Sequence, residues 1–423
     1  MRRAHPVEAI RAAERPLLEA AEASGDPDAV MRRAAAGVAH HTAALLRSRS
    51  GGVFGRSVLL IVGSGDNGGD ALYAGAMLRA RGCRVEAVLL DPARAHARAL
   101  AALRRAGGRA AGFRAGPGAG ATPPDVVIDG VVGLAGSGPL REPAAGIVAH
   151  HAAAGVPFVS VDLPSGVDAD TGTVHDPHVP AHVTVTFGAL RRAHLLASPA
   201  CGRVEVVDIG MGGIPAGPRS VRRPDRAEGG RSWPVPGPAT TSTARAWWRS
   251  ATVPTASPGR PSSAPRRRWR RPRGWCATWV RARARCSLSG PRWCVTRRWR
   301  RRGPRRPCAS ACAANARVAA PPVLLRGGAA AVLLPPPAGE FDRLTGGWDR
   351  ADRAGALRRY VAGLRDRGIN ATVLLKGRVT LVDDGETTWS VDAGCSWAAT
   401  AGSGDVLSGI AGALLAGGRG DGR

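Results

Sequence analysis

Residues 58–70 read VLLIVGSGDNGGD, and this stretch decides the fold of the first half of the chain. The run from Val58 to Val62 is apolar without alternation, which is typical of a central strand buried on both faces of a parallel sheet. Four glycines follow among the next seven residues, and they permit positive φ angles and a close backbone approach to a ligand. A helix predicted to begin near Asp70 points its unpaired N–H groups at the same place, where an anion is favoured. The stretch therefore predicts a phosphate or nucleotide site.

An alternation of strands and helices extends from this stretch to about residue 207. Because strands alternate with helices, we expect an α/β fold with a parallel sheet between two helical layers, a Rossmann-like three-layer αβα domain. Ligands of such sheets bind beyond the carboxyl ends of the strands. The predicted strands are 58–62, 85–90, 126–130, 158–162, 183–187 and 204–207, and the predicted helices lie within 1–50 and at 70–81, 97–106 and 144–154.

The composition excludes several classes of protein. The chain has 423 residues, room for roughly two or three domains, and its 44% hydrophobic residues suffice for ordinary cores. It has no apolar run of about 20 residues, and no apolar segment follows its basic start, so neither a transmembrane helix nor a signal peptide is expected. The eight cysteines lack the spacing of zinc ligands, so we assign neither disulfides nor a cysteine metal site. We expect a cytoplasmic protein that does not associate with membranes.

The net charge of +28 comes from one segment of the chain. Between Glu228 and Glu340 there are 23 arginines and no acidic residue, and eight of the eleven tryptophans lie between Trp233 and Trp299. Without those 23 arginines, 37 basic residues remain against 32 acidic ones, which is the balance of an ordinary protein. A nucleic-acid partner is therefore not expected for the chain as a whole.

Oxygen-bearing side chains follow three of the predicted strands. Asn67 lies in the glycine-rich stretch, Asp129 ends a strand, and Asp162 and Ser165 follow the next strand. A strand-terminal aspartate on its own often caps only a loop or the next helix. Because the carboxyl ends of parallel strands meet at one edge of a sheet, the four residues together favour a shared site. Amide, carboxylate and hydroxyl oxygens suit a hard cation better than zinc or copper.

Three segments of the first half carry a specific resemblance: GSGDNGGD at 63–70, VIDGVVGLAGSG at 127–138 and VDLPSGVDADTG at 161–172. In this order and spacing they resemble the NAD(P)H-hydrate epimerase domain, which in actinobacteria and other bacteria is commonly fused to an ADP-dependent NAD(P)H-hydrate dehydratase. The resemblance covers about residues 1–213 and implies that K⁺ is bound through Asn67, Asp129 and Ser165. It also implies that Asp162 holds the substrate and is the best candidate for acid/base catalysis. The other residues that it places against the hydrated dinucleotide are Asp66, Asn67, Gly68, Gly69, Asp70, Gly133, Leu134, Ala135, Gly136, Ser137, Gly138 and Pro139.

The second half carries motifs that resemble those of the dehydratase. ATAGSGDVLSG at 399–409 resembles the anion hole of ribokinase-like enzymes, in which glycine N–H groups at a helix start stabilise a transferring phosphoryl group. In that case Asp405 contacts the substrate and is the catalytic base. Without the resemblance, the same residues have simpler interpretations: Lys376 as an exposed lysine after a strand, and the Gly-Ser-Gly-Asp sequence at 402–405 as a helix cap. The residues that the resemblance assigns to ADP are Lys376, Gly377, Arg378, Val379, Thr380 and Gly404.

Two features separate the second half from the family. Where the family has Thr-Pro-His, this chain has Pro335, Pro336 and Pro337, so the histidine expected to touch the substrate is missing. Neither the opening strands of the dehydratase domain nor the helices that follow its last motif can be recognised. We therefore expect the remnant of a ribokinase-like α/β domain that buries too little apolar surface to fold. Epimerase activity with little or no dehydratase activity is the expected result.

The segment between the two halves has three interpretations. Its arginines and tryptophans fit an arm that binds single-stranded nucleic acid, and its composition also fits a disordered basic linker. It fits translation in the wrong frame as well, because a one-base slip in a GC-rich gene turns valine codons into tryptophan codons and alanine codons into arginine codons. We favour the last interpretation, in which the opening of the dehydratase domain is encoded here in another frame.

The expected domains are an epimerase domain at 1–215, a linker at 216–238, an out-of-frame and disordered segment at 239–318, and a partial dehydratase domain at 319–423. The expected substrate is hydrated NADH or NADPH, the expected cofactors are K⁺ and ADP, and Mg²⁺ is a further candidate. Assembly into a homo-oligomer is a further expectation. The alternative function is a non-catalytic dinucleotide-binding scaffold with a basic nucleic-acid-binding arm.

Overall fold

The computed structural model describes residues 1–113, 122–132, 138–225, 227–228, 249–250, 310–311, 332–396, 399–400 and 402–417. Its helices are α1 (Val7–Ala23), α2 (Ala29–Ser50), α3 (Asp66–Ala80), α4 (Ala97–Arg105), α5 (Ala144–Ala153), α6 (Arg192–Leu196), α7 (Ser198–Cys201), α8 (Ala338–Thr345), α9 (Arg353–Asp366) and α10 (Ser403–Gly417). Its strands are β1 (Arg2–His5), β2 (Ser57–Val62), β3 (Arg84–Leu89), β4 (Arg109–Gly112), β5 (Val126–Gly130), β6 (Phe158–Val161), β7 (Val183–Phe187), β8 (Leu190–Arg191), β9 (Arg203–Val207), β10 (Val221–Arg223), β11 (Arg249–Ser250), β12 (Ser310–Ala311), β13 (Val332–Leu334), β14 (Ala371–Leu375), β15 (Val379–Asp383) and β16 (Thr388–Asp392).

A seven-stranded parallel sheet forms the centre of the first half, with the strand order β4-β3-β2-β5-β6-β7-β9. The apolar strand β2 pairs with β3 on one side and with β5 on the other, as its sequence predicts. Side chains of α2, α3 and α4 pack on the face that contains Leu60, and side chains of α5 pack on the face that contains Ile61. These two helical layers confirm the predicted three-layer α/β fold.

The helix that follows β2 begins at Asp66, four residues earlier than predicted. Gly65 is its N-cap residue, and the N–H groups of Gly68 and Gly69 donate to the Gly65 carbonyl at 3.0 and 3.4 Å. The prediction that the helix starts near Asp70 is therefore wrong. Glycine has a low helix propensity, but Gly68 and Gly69 are buried and leave no room for a side chain, so close packing overrides propensity here.

A second sheet joins the two halves, in the order β11-β12-β13-β14-β15-β16-β10-β1-β8. Its strand β1 comes from a region predicted to be entirely helical, and β10 lies within the predicted linker at 216–238. β10 pairs with β1 on one side and with β16 on the other. The predicted linker therefore contains a strand that hydrogen-bonds the first half to the second.

The buried core of the second half includes side chains from the first half. Phe341 is fully buried, and its ring centroid lies 5.1 Å from that of Trp348 and 5.3 Å from that of Tyr360. The structure thus differs from the expectation that the second half lacks a folded core, because the first half covers apolar faces that were expected to have no partner. The residues of the first half in this cluster are Ala4, Leu190, Leu195 and Leu196, and β10 of the predicted linker adds Val221.

The arginine- and tryptophan-rich segment lies almost entirely outside the described residues. Of the range 239–318, only β11 and β12 are described, and β12 pairs with both β11 and β13. The predictions of a wrong reading frame and of disorder in this range therefore stay predictions. Among the helices that the structure describes, none combines the length and the hydropathy that are needed to span a bilayer.

Candidate active site

The carboxyl ends of β2, β5 and β6 meet at Asn67, because β5 lies between the other two strands. The Asn67 side-chain Nδ2 donates to the carbonyl of Val161 at 2.7 Å and to the carbonyl of Val132 at 3.3 Å. Gly130 permits this close approach, since a Cβ there would lie 2.7 Å from the Asn67 carbonyl oxygen. Asn67 therefore ties the first turn of α3 to the residues that follow β5 and β6.

Asp129 and Ser165, two of the predicted K⁺ ligands, are in direct contact. Asp129 is 1% exposed and accepts hydrogen bonds from Ser165 Oγ at 2.7 Å, Ser165 N and Ser160 Oγ at 2.9 Å, and Val131 N at 3.2 Å. Ser165 Oγ in turn accepts from Val132 N at 3.1 Å. Burial raises the pKa of Asp129, and the hydrogen bonds that it accepts act in the opposite direction. The structure thus brings together the residues that the sequence placed at one site.

Asp162 lies directly after β6 in the left-handed backbone region, with a φ of 64° that non-glycine residues adopt rarely. Its Oδ1 accepts from Thr186 Oγ1 at 2.8 Å and lies 3.0 Å from Arg191 Nε, an ion pair whose N–H is not aligned for a hydrogen bond. Arg191 is 1% exposed, and its second guanidinium nitrogen donates to Glu14 Oε1 at 3.2 Å. The unusual backbone thus directs the Asp162 carboxylate toward a buried guanidinium.

Sequence reasoning missed Arg191, Glu14 and Thr186. Glu14 lies on α1, Arg191 on β8 and Thr186 on β7, so nothing in their spacing connects them with Asp162. Arg191 is 1% exposed, and a signal that could have identified it is only general: a buried arginine needs an anionic partner. In the linear sequence Arg191 is one of 59 arginines, and nothing marks it as buried.

His194 on α6 fixes the backbone of Asp162. Its Nδ1 accepts from the Arg191 backbone N–H at 3.0 Å, so in the neutral ring Nε2 carries the proton and donates to the Asp162 carbonyl at 2.8 Å. Burial lowers the pKa of His194 from 6.5 to about 4. His194 is therefore neutral at physiological pH, and sequence reasoning missed it as well.

We expect His194 to make the protein less stable as the pH falls from 6.5 toward 4. In this window the unfolded chain binds a proton at His194 and the native protein does not, because its pKa is lowered to about 4. Near pH 4 the free energy of unfolding is lower by about 3 kcal/mol, because each unit of pKa difference contributes about 1.4 kcal/mol. His194→Gln keeps one donor and one acceptor without titrating, so urea unfolding at several pH values is expected to give a weaker pH dependence for this variant. An unchanged pH dependence contradicts the assignment.

Asp70 is a buried carboxyl group without a hydrogen-bond partner for its Oδ1 among the described residues. Burial raises its pKa well above the ordinary value, and the negative charges of Asp162, Asp66 and Glu14 raise it further. The site therefore contains one carboxylate paired with a guanidinium, at Asp162, and one carboxyl group whose pKa is raised by burial, at Asp70. A pair of carboxyl groups whose environments differ in this way suits acid/base chemistry.

The rest of the predicted dinucleotide site is described only in part. Gly133, Leu134, Ala135, Gly136 and Ser137 lie outside the described residues. Gly138 has a φ of 96°, and Pro139 after it is exposed. Asp66 is exposed at the start of α3, while Gly68 and Gly69 are buried beneath it.

In the second half, three residues predicted from the sequence, Lys376, Gly404 and Asp405, lie together with Glu340. A Cβ added at Gly404 would lie 2.8 Å from Lys376 Nζ, so this ammonium group lies at the start of α10. Burial lowers the pKa of Lys376, and the charges of Glu340 and Asp405 act in the opposite direction. Burial also raises the pKa of Glu340. Lys376, Gly404, Glu340 and Asp405 thus form one cluster.

The residues after Lys376 form the turn between β14 and β15. Thr380 Oγ1 donates to the Gly377 carbonyl at 3.2 Å, which closes the turn. The Arg378 guanidinium pairs with Asp392 at the end of β16, and Asp392 also accepts from Ser198 Oγ at 2.5 Å. Arg378 is therefore linked through Asp392 to Ser198 of the first half.

Comparisons with known proteins match both halves of the chain. A family model described as the YjeF-related protein N-terminus matches residues 27–193, and one described as NAD(P)H-hydrate dehydratase matches residues 322–421. The chain is 40% identical over 445 aligned residues to the bifunctional NAD(P)H-hydrate repair enzyme Nnr of Mycobacterium tuberculosis. The matched region covers 99% of this chain and 90% of that relative. It is 41% identical over 446 residues to the protein of the same description from Mycobacterium leprae, with the same two coverages. The NAD(P)H-hydrate epimerase of Microbacterium testaceum is 40% identical over 214 residues, which are 49% of this chain and 78% of that relative.

Proposed function

We propose that the first half of this chain interconverts the (R) and (S) epimers of hydrated NADH and NADPH, because the chain belongs to the family of bifunctional NAD(P)H-hydrate repair enzymes. The second half contains the dehydratase domain, which in this family uses ADP to return the (S) epimer to NAD(P)H. The observation that carries the proposal for the first half is the presence of two buried carboxyl groups in different environments: Asp162 is paired with Arg191, and Asp70 has a pKa that burial and the charge of Asp162 raise.

The two carboxyl groups can carry out epimerisation with no net gain or loss of protons. Asp70, whose pKa is raised, donates its proton to the ring hydroxyl, and the C–O bond breaks as water leaves. Water then adds to the opposite face of the ring cation, and the Asp162 carboxylate accepts the proton that this water loses. Return of that proton from Asp162 to Asp70 restores both groups. Arg191 and Thr186 keep the Asp162 carboxylate in place throughout.

The contacts of Asn67, Asp129 and Ser165 fit K⁺. The three side chains offer only oxygen ligands, and the carbonyls of Val132 and Val161 lie beside the Asn67 amide. Asp129 is fully buried, and among the described residues no basic side chain pairs with it. A bound K⁺ would supply a fixed positive charge that balances this carboxylate and lies close to the substrate. We propose that Asn67, Asp129 and Ser165 hold the ion.

We expect Ser165→Ala to lower the epimerisation rate about tenfold in KCl, because it removes an oxygen ligand and a hydrogen bond to Asp129. A second measurement is the melting temperature with and without KCl, since an ion that binds only the native state stabilises it. KCl is expected to raise the melting temperature of the parent protein but not that of Ser165→Ala. The matched control is Ser48→Ala on exposed α2 surface, where the Ser48 hydroxyl donates to the Leu45 carbonyl at 2.8 Å. Equal responses of all three proteins to KCl contradict the site.

For the second half, we propose ADP binding at the cluster of Lys376, Gly404 and Asp405 but little or no dehydration. Support for binding comes from the ammonium group at the start of α10, where phosphate groups are favoured. Support for the loss of dehydration comes from Pro337, which replaces the histidine that the family uses to touch substrate. Mg²⁺ with the nucleotide remains part of this proposal.

We expect Asp405→Asn to remove any remaining ADP-dependent formation of NADH and to leave epimerisation unchanged, because the two reactions use different carboxylates. The measurement follows the two epimers and NADH by chromatography in a single reaction. If Asp405→Asn lowers epimerisation as well, the two activities are not divided between the halves as proposed.

A further inference from the structure

A cavity of about 500 Å³ lies between the two halves, apart from the site around Asp162 and next to the turn that follows Lys376. One wall is built from the loop 171–178 and from α6 and α7 of the first half, and the other from the start of α9 and from β15. A contact between Thr173 Oγ1 and the Ala351 carbonyl, at 2.5 Å, joins the two walls. The volume is within the range of about 300–1,000 Å³ that is typical of small-molecule sites.

The charged side chains that line this cavity are basic. Arg350, Arg353 and Arg378 line it together with His178, and no acidic side chain is found among its lining residues. Two of the three arginines have partners: Arg378 pairs with Asp392, and Arg350 lies 3.8 Å from Asp342 and over the Trp348 ring.

Arg353 differs from these two arginines. Across the described parts of the chain, no carboxylate pairs with it, and its guanidinium lies against the backbone of Gly377, where a side chain would collide with it. The neighbouring Asp352 does not pair with Arg353. Its carboxylate caps α9 by accepting from the Gly355 N–H at 2.8 Å, and it lies 3.5 Å from Arg359. Burial alone lowers the pKa of Arg353. A largely buried guanidinium without an anion is costly, so a ligand that supplies the anion is favoured.

We propose that this cavity binds a small organic phosphate, with Arg353 as the main ligand of the phosphate group. The guanidinium offers a planar pair of donors that matches two phosphate oxygens, and Arg350 adds positive charge nearby. Leu196, Val379 and Leu381 supply apolar surface for the rest of the ligand.

This site is separate from the cluster that we assign to ADP. Lys376, Gly404 and Asp405 do not line the cavity. The two sites meet at the turn after Lys376, because Arg378 and Val379 line the cavity and Arg353 lies against Gly377. Phosphate binding at the cavity is therefore expected to survive the loss of Lys376.

The test is the binding of inorganic pyrophosphate to the full chain, measured by isothermal titration. Lys376→Gln is used as the background, so that binding at the ADP cluster is removed. In this background we expect pyrophosphate to bind, and we expect Arg353→Gln to weaken the affinity at least tenfold, as loss of a charged hydrogen-bonding partner does. Arg353→Lys keeps the charge but loses the planar pair of donors, and it is expected to weaken binding at least threefold.

The matched control is Arg367→Gln at the other end of α9, where Arg367 is exposed and donates to the Gly363 carbonyl. It is expected to bind pyrophosphate as the background protein does. If Lys376→Gln alone abolishes pyrophosphate binding, the proposal is overturned, because all of the binding then occurs at the ADP cluster. Equal affinities of Arg353→Lys, Arg367→Gln and the background also overturn it, and this comparison holds even if Arg353→Gln fails to fold.

Discussion

Replacing Asp162 with asparagine is expected to lower the rate of epimerisation of hydrated NADH by about 10²–10⁴-fold, the range that a general acid or base contributes. Asparagine tolerates the left-handed backbone better than most residues, so the φ of 64° at this position is retained. Its side-chain oxygen can still accept from Thr186, which binds Oδ1 at 2.8 Å in the parent protein. What disappears is the carboxylate that accepts a proton.

The control for this variant is Asp208→Asn, an exposed aspartate whose Oδ1 accepts from the Gly210 N–H at 2.7 Å. It is expected to epimerise at the parent rate. Far-ultraviolet circular dichroism and the melting temperature check that both variants are folded. If Asp162→Asn epimerises as fast as the parent, Asp162 is not the base, and a dinucleotide-binding scaffold becomes the better account of the first half.

Replacing Arg191 with methionine is expected to lower the free energy of unfolding by about 3–5 kcal/mol, the usual cost of removing one partner of a buried ion pair. Methionine fills a similar volume but leaves Asp162 and Glu14 without their shared cation, and both carboxylates are then poorly solvated. It also leaves the carbonyls of Phe187 and Ala189 without the donors that now reach them at 2.9 Å. Urea unfolding of the parent and the variant measures the difference.

The matched control is Arg203→Met, which breaks an ion pair of similar length at the surface. Arg203 Nε lies 2.9 Å from Glu205 Oε1, but the arginine side chain is 59% exposed. Surface pairs contribute at most about 1 kcal/mol, so this variant is expected to be nearly as stable as the parent. Equal losses for the two variants contradict a special role for the buried network around Asp162.

The sheet of the first half was predictable because its signals are local. An unbroken apolar run such as Val58–Val62 identifies a buried strand, and alternation with helices implies parallel pairing. Local signals also placed Asn67, Asp129 and Ser165 at one edge, since each lies at or just beyond the carboxyl end of a strand of the same sheet. In the structure Ser165 donates to Asp129, and Asn67 donates to the Val161 carbonyl beside them, which agrees with that placement.

Features that depend on long-range contacts were not predictable in this way. β1 is four residues long, and it forms a strand only because β8 and β10 offer backbone partners far along the chain. The same holds for Arg191 and His194, whose roles arise from burial beside Asp162 and not from a motif. The core of the second half was underestimated because the residues that complete it, such as Leu190, lie more than 140 positions before Val332.

The most direct test of the account is incubation of the purified full chain with pure (R) epimer of hydrated NADH, first without and then with ADP. Chromatography follows the (R) epimer, the (S) epimer and NADH. The account predicts that the (S) epimer forms without ADP until the two epimers reach equilibrium, and that added ADP produces little or no NADH. An (R) epimer that stays unchanged under both conditions would contradict the central claim that the site around Asp162 is an epimerase.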